Sequence, residues 1–399
     1  MGRLLVLGAG ILQIPVIKKA KELGHFVIAA DGSPDAPGLV IADKPIVANI
    51  VSEEIMLAVA LAEKIDGVIH PCSEVAMNVM GRINDELGLS GIGKDSALRA
   101  TNKHLMRKAF EKYGAPTPKS VLLDNSSHGW DLFNGQFCSD AILKPSRNSG
   151  SRGISKIERG VSKEEFLKLY DRALIESRDN SVLLEQYIDG PEFSVEIIVW
   201  DNEVTVLAVT DKKTTEAPYF VELGHSQPSC YPDEIVNIIK AAAIAGVKAL
   251  EVNACACHAE IKVQDGIAYL MEVGARLGGD FISTVLTPVS TGIDMVAAAI
   301  NCALGLRPNL NPISSQRGVC IRYFAPTAGY LKAIRNVDVL RKDSVILSEL
   351  YCKIGDLIPH LNSSTSRSGH VIVAADNVYS AIKEAEGIIE EVIFEVDRL

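Results

Sequence analysis

No run of about 18 uninterrupted apolar residues occurs in the 399-residue sequence, so no segment has the length of a membrane-spanning helix. Positive charge is also in short supply. Lys and Arg number 40 against 50 Asp and Glu, and the net charge of -10 argues against nucleic acid as a main partner, because phosphate backbones are bound chiefly through cations. Small anionic ligands remain compatible, since a local cluster of positive groups can sit on an acidic surface. The eight cysteines are scattered. Only Cys255-Ala256-Cys257-His258 invites a metal reading, and it lacks a second Cys or His pair at structural-zinc spacing, which leaves free thiols in a reduced compartment as the main reading. Internal repeats and low-complexity segments are absent too. The opening residues Met1 to Gly8 run straight into a glycine turn and read as a first strand, not a signal peptide, so a cytoplasmic location is expected.

What is present is an ordinary globular balance, 47% hydrophobic and 23% charged, in a chain long enough for two or three domains. Residues 1 to about 98 alternate short apolar runs (Leu4 to Leu7, Val27 to Ala30, Gly67 to Ile69) with amphipathic stretches, the pattern of βαβ units around a parallel sheet. The first strand ends in Gly8-Ala9-Gly10 and the second in Asp31, at dinucleotide-site spacing. However, Gln13 stands where a third small residue should pack helix against strand. A helix is predicted from about Asn102 to Tyr113, stopped by Gly114 and the prolines beyond it. Strands follow at Ala141 to Lys144, Val182 to Glu185 and Phe193 to Trp200, with helices at Lys163 to Ser177 and Asp233 to Ala249. After Pro308 and Pro312 the tail (Val319 to Phe324, Gly369 to Val373, a helix from about Val378 to Glu391) makes a small α+β domain. The expected division is 1–98, 99–312 with a lid at about 120–188, and 313–399.

Chemistry concentrates in two stretches. Lys144 ends a strand and leads into the small-residue loop Pro145 to Gly153, which can turn backbone N–H groups toward phosphate while the lysine supplies charge; a plain hairpin turn is the alternative. Glu260 and Glu272 lie on consecutive antiparallel strands and can share Mg²⁺ through oxygen ligands, with Arg276 placed to hold a phosphoryl or carboxylate group. Surface carboxylates on an exposed hairpin are the bland reading, disfavoured by the apolar flanks and by Gly278-Gly279. Parity then constrains the turn. With Asp265-Gly266 as a regular two-residue turn, Glu260 would pair with Met271 and Glu272 would face the other way, so a three-residue turn, Gln264 to Gly266, is expected.

Together these residues resemble the ATP-grasp superfamily over nearly the whole chain, and within it the L-amino acid ligases, through Thr210-Asp211-Lys212, Phe220 to His225, Pro228-Ser229, His258-Ala259-Glu260 and Ser368 to Val373. The resemblance implies an ATP-grasp fold, mixed α/β and α+β, behind a Rossmann-like N-terminal domain with parallel βαβ units. It implies ATP contacts from Lys103, Lys144, Ser151, Gly153, the hinge Glu185-Gln186-Tyr187-Ile188, the ribose acid Glu192 and Leu270. It further implies metal carboxylates at Glu260 and Glu272, catalytic roles for Arg276 and Lys144, and substrate contacts from Glu74, His225, Ser229, His258, Arg276 and Gly278. One departure stands out: the superfamily usually carries Asn two residues after the second metal carboxylate, and this chain has Gly274.

The implied enzyme is an ADP-forming C–N ligase using ATP and Mg²⁺ or Mn²⁺. A carboxylate becomes an acyl phosphate and is then taken by an amine, with amino acids or small peptides as substrates and a homodimer as an assembly compatible with the group. Three rivals are a carboxyphosphate-forming enzyme of the carboxylase or carbamoyl phosphate type, a nicotinamide-binding oxidoreductase built on Gly8 to Asp31, and a catalytically silent nucleotide-binding module.

Overall fold

A computed structural model describes residues 1–137, 139–148, 152–216 and 219–397, and the chain divides into two compact units. The first comprises Met1–Thr117, Ser194–Ala208 and Asn237–Ser315. It opens with a parallel four-stranded sheet in the order Lys44–Val47, Phe26–Asp31, Arg3–Leu7, Gly67–Ile69, as the apolar runs predict. Leu4, Val6, Val27 and Ala29 are fully buried against Val16, Ile17 and Ala20 of the helix Ile14–Glu22 and against the small-residue helix Met295–Ala303. Each such aliphatic side chain contributes about 1.5–3 kcal/mol by leaving water. Gly67 is required there, since a Cβ would come within 2.2 Å of the Ala303 carbonyl oxygen.

The helix Lys103–Tyr113 starts where the Asn102 side chain accepts from the Leu105 N–H and ends at Gly114 with φ of 67°. Its buried face carries Lys103, Met106, Arg107 and Phe110. The unit also holds the hairpin Cys255–Gln264 and Ile267–Gly274, bordered by the strand Glu192–Trp200. Gly246 of the helix Asp233–Ala249 lets Leu270 approach, its absent Cβ lying 2.8 Å from the leucine.

The second unit comprises Pro118–Phe193, Val209–Val236 and Gln316–Leu399. One antiparallel sheet runs Ser120–Leu123, Val182–Gln186, Ala141–Pro145, Ser155–Ile157. The helices Ser126–Gln136 and Lys163–Ile175 cover it with Phe133, Phe166 and Tyr170. A further antiparallel series, Glu222–Gln227, Gly318–Phe324, Gly369–Ala375 and Val345–Leu350, packs on the helix Val378–Glu391 through Phe324, Val371, Ala381 and Ile388. Among the described residues no single helix is long and apolar enough to cross a membrane.

Candidate active site

In the first unit, the hairpin reaches the expected result by another route. Its turn is the two-residue Asp265-Gly266, with φ of 52° and 74°, the left-handed pair that Asp-Gly favours. The predicted three-residue turn is therefore wrong. Regular pairing runs from Gln264 opposite Ile267 to Ile261 opposite Leu270, then the register shifts and Glu260 stands opposite Glu272. Met271 is the extra residue of a β-bulge, and the bulge restores the parity that the short turn would have broken. The local backbone groups are met from outside the hairpin. The Leu270 N–H donates to the Pro116 carbonyl at 2.9 Å, while Arg107, 1% exposed, donates to the carbonyls of Leu270 and Met271.

Like charges directly opposite each other across a ladder are unfavourable, and cations accompany this pair. Lys103 Nζ lies 3.1 Å from the Glu272 carboxylate, and His258 Nε2 lies 3.8 Å from Glu260. Two opposed carboxylates could supply the protein's share of the ligands to a magnesium ion. No group of three or more His, Cys, Asp or Glu side chains is arranged around a common point among the described residues. This donor set fits Mg²⁺, which takes one or two carboxylates and fills its octahedron from phosphate oxygens and water.

Arg276 follows the hairpin and is mostly buried. Its Nε donates to Glu74 Oε1 at 2.9 Å, its second terminal nitrogen reaches the same oxygen, and its first donates to the Leu277 carbonyl at 3.1 Å. Burial alone would raise the Glu74 carboxyl, but the guanidinium holds it below the ordinary carboxylate value. The Gly274 departure has a local reason, because a Cβ there would sit 3.3 Å from Arg276 Nε and Cζ.

His258 Nδ1–H donates to Glu196 Oε1, and Ser283 donates its hydroxyl to Glu196 Oε2. The Gly278 N–H in turn donates to the Ser283 hydroxyl at 2.7 Å. Glu196 and Ser283 are each 0% exposed, so neither can touch a substrate. Burial disfavours the charged imidazole, yet the charge and hydrogen bond of Glu196 raise His258 to about 9. A histidine so held is a poor base for an incoming amine.

The glycine turn behind the nicotinamide reading is engaged internally. Asp31 accepts from the N–H groups of Ala9 (2.7 Å) and Ser33 (2.8 Å), and Gln13, 8% exposed, folds over the turn to reach the Pro71 carbonyl at 3.0 Å. Those are the groups a dinucleotide would need. Cys255 and Cys257 are free thiols with sulfurs 3.8 Å apart.

The second unit carries the other expected residues. Lys144 and Glu185, 5% and 1% exposed, form an ion pair of 2.6 Å on adjacent strands. Along the hinge, the Gln186 N–H donates to the Lys119 carbonyl at 2.8 Å and the Tyr187 N–H to the Asp140 carbonyl at 3.1 Å, while Lys156 Nζ sits 4.4 Å from the Tyr187 ring centre. Ile188 is buried. Glu192 meets Lys212 at 2.5 Å. His225 is buried on the strand Glu222–Gln227, and Ser229 donates to Asp211 at 2.5 Å. Gly153 has φ of 75°, and a Cβ there would lie 2.8 Å from Glu176 and 2.9 Å from Pro145. Ser151 lies outside the described residues.

Arg107, Glu196 and Ser283 were not singled out from the sequence. Glu196 had a signal: it is a lone carboxylate inside the apolar run Phe193 to Val199, which is hard to bury without a built partner set.

The chain carries a segment similar to the ATP-grasp domain: a family model of that description matches residues 138–285. A second model, described as L-amino acid ligase C-terminal domain 2, matches residues 322–397. The carbamoyl phosphate synthase large chain of Methanoregula boonei is 24% identical over 82% of this chain and 32% of its own length. The formate-dependent phosphoribosylglycinamide formyltransferase of Mycobacteroides abscessus is 29% identical over 56% of this chain and 55% of its own length. The chain thus spans about a third to about half of these curated relatives. Its fold is that of the L-amino acid ligase from Bacillus licheniformis, with a TM-score of 0.85 at 19% identity over 100% of this chain and 99% of that one.

Proposed function

We propose that the protein is an ATP-dependent carboxylate–amine ligase acting on amino acids or small peptides in the cytoplasm. The observation that carries this is the bulge that sets Glu260 opposite Glu272. A regular ladder would not need it, and a two-carboxylate magnesium site does. When bound there, Mg²⁺ neutralises phosphate charge and offers Lewis acidity to the transferring group.

The chain's own residues supply the rest. Lys144 and Lys103 bring positive charge for nucleotide phosphates, the hinge Glu185 to Ile188 and Leu270 border the adenine, and Glu192 takes the ribose. Arg276 steadies the acyl phosphate, and its partner Glu74 takes a cationic group of the substrate. A carboxylate oxygen attacks the γ-phosphorus, the bond to the β-phosphate oxygen breaks, and ADP leaves. The amine nitrogen then attacks the acyl carbon, phosphate departs with the C–O bond electrons, and the amine loses one proton to solvent. Positioning and charge neutralisation are the main demands of such a transfer.

A second reading, in which bicarbonate is the acid, is favoured by the match to a carbamoyl phosphate synthase across 82% of the chain. ADP release measured with a panel of amino acids, with and without bicarbonate, separates the two. Release that requires an amino acid supports the ligase, and release that requires bicarbonate transfers the chain to the other group. No release under any condition leaves only a nucleotide-binding module.

A further inference from the structure

We infer that Glu196 is a positioning residue that sets the metal carboxylate Glu260 through His258 and fixes the backbone at Gly278 through Ser283; this rests on the ligase reading proposed above. Glu196 is 0% exposed in the strand Glu192–Trp200. Burying a carboxylate costs several kcal/mol unless each oxygen finds a partner. Here each does: one oxygen meets His258 Nδ1 and the other accepts from Ser283.

Both partners lead onward to residues of the site. With Nδ1 committed, the imidazole has one orientation, and its Nε2 is directed to Glu260 at 3.8 Å. A carboxylate that orients an imidazole beside a metal ligand is the arrangement by which outer groups tune metal affinity. On the other branch Ser283 accepts from the Gly278 N–H at 2.7 Å. The fit at Gly278 admits no side chain, because a Cβ would lie 2.6 Å from His258 Nδ1 and 2.9 Å from Glu196. Glu196 therefore links the strand bearing Glu260 to the turn that follows Arg276.

The test is Mn²⁺ binding followed by electron paramagnetic resonance, with ADP present, in wild type, E196Q, H258N and the double variant. Thermal melting of each variant accompanies it. E196Q removes the negative charge that holds the His258 imidazole with little change of shape, and H258N removes the group that faces Glu260. Each is expected to weaken Mn²⁺ affinity about 10–100-fold, with ADP affinity measured without metal unchanged. The double variant should be no weaker than the worse single one, since both act along one line. Unchanged Mn²⁺ affinity in the single variants, or fully additive losses, overturns the inference. Should E196Q fail to fold, H258N decides alone: weakened Mn²⁺ binding supports the inference and unchanged binding overturns it. Wild type that binds no Mn²⁺ with ADP present overturns the metal reading itself, a result distinct from wild type that binds and variants that match it.

Discussion

Arg107 holds Met271 by its carbonyl, with 2.8 Å between guanidinium nitrogen and oxygen, and through a second nitrogen it also takes the Leu270 carbonyl at 3.2 Å. Met271 is the residue that the register of the hairpin leaves over. A bulge costs ladder hydrogen bonds, and it persists where other donors replace them. Lys103, one turn earlier on the same helix, is ion-paired with Glu272. The helix Lys103–Tyr113 thus grips the bulge and the carboxylate it aims.

Arg107→Met should release the bulge. Buried carbonyls left without a donor cost about 1–3 kcal/mol each, so the melting temperature should fall. ADP formation should fall at least about 100-fold as Glu272 loses its bearing on Glu260. Turnover within twofold of wild type in a folded variant would detach the bulge from the chemistry.

Glu260→Gln and Glu272→Gln each remove a proposed metal ligand while keeping shape. Catalysis should drop by about 100-fold or more, in line with the loss of one well-placed charge in a dry site. Nucleotide affinity measured without metal should stay the same, by isothermal titration. Equal metal dependence of the rate in wild type and both variants would remove these residues from the metal site.

Lys144→Ala and Lys103→Ala should each slow ADP formation by roughly 3 kcal/mol in transition-state stabilisation. They should differ in stability. Losing Lys144 leaves Glu185 buried without its ion-pair partner, which costs about 3–5 kcal/mol, whereas Glu272 is less enclosed. Denaturant titration of both variants checks the contrast.

The Glu74–Arg276 pair gives a pH signature. Because the folded Glu74 carboxyl is held below the ordinary glutamate value of about 4.5, its contribution to stability is present above that value and is lost as pH falls through the lower folded one. Glu74→Gln should therefore be less stable than wild type at neutral pH, with the gap narrowing on acidification below about 4.5. A gap that fails to narrow in acid would show that the charge pair does not set the stability of this region.

Gly274→Asn tests the departure from the superfamily pattern. Its Cβ would crowd Arg276, so the rate should fall without any gain in Mg²⁺ affinity. Tighter metal binding with full turnover would show the glycine to be incidental.

Much of the fold was legible because local rules governed it. The parallel strands showed as apolar runs, and Asn102 and Gly114 marked the two ends of one helix. That Glu260 and Glu272 share one face was also legible, but a three-residue turn would have paired Glu260 with Leu270, and neither their direct opposition nor its cause was. Parity required one extra residue, and the sequence offered the turn as the natural place for it. The choice was made by Arg107, a donor on another element, and by Asp265-Gly266, which already makes a good two-residue turn. Glu196 escaped notice for a similar reason: its partners are 62 and 87 residues away, and periodicity carries no information at that range. Lys103 was read as a phosphate ligand from resemblance, and only the structure shows its ion pair with Glu272.

The most direct measurement is a hydroxylamine trap for acyl phosphate, run with ATP and Mg²⁺ across the amino acids and a set of small carboxylic acids. The account predicts a hydroxamate from at least one acid, formed only when ATP and Mg²⁺ are both present, in step with ADP release and abolished in Glu272→Gln. ADP release with no hydroxamate from any acid, or hydroxamate formation undiminished in Glu272→Gln, would contradict it.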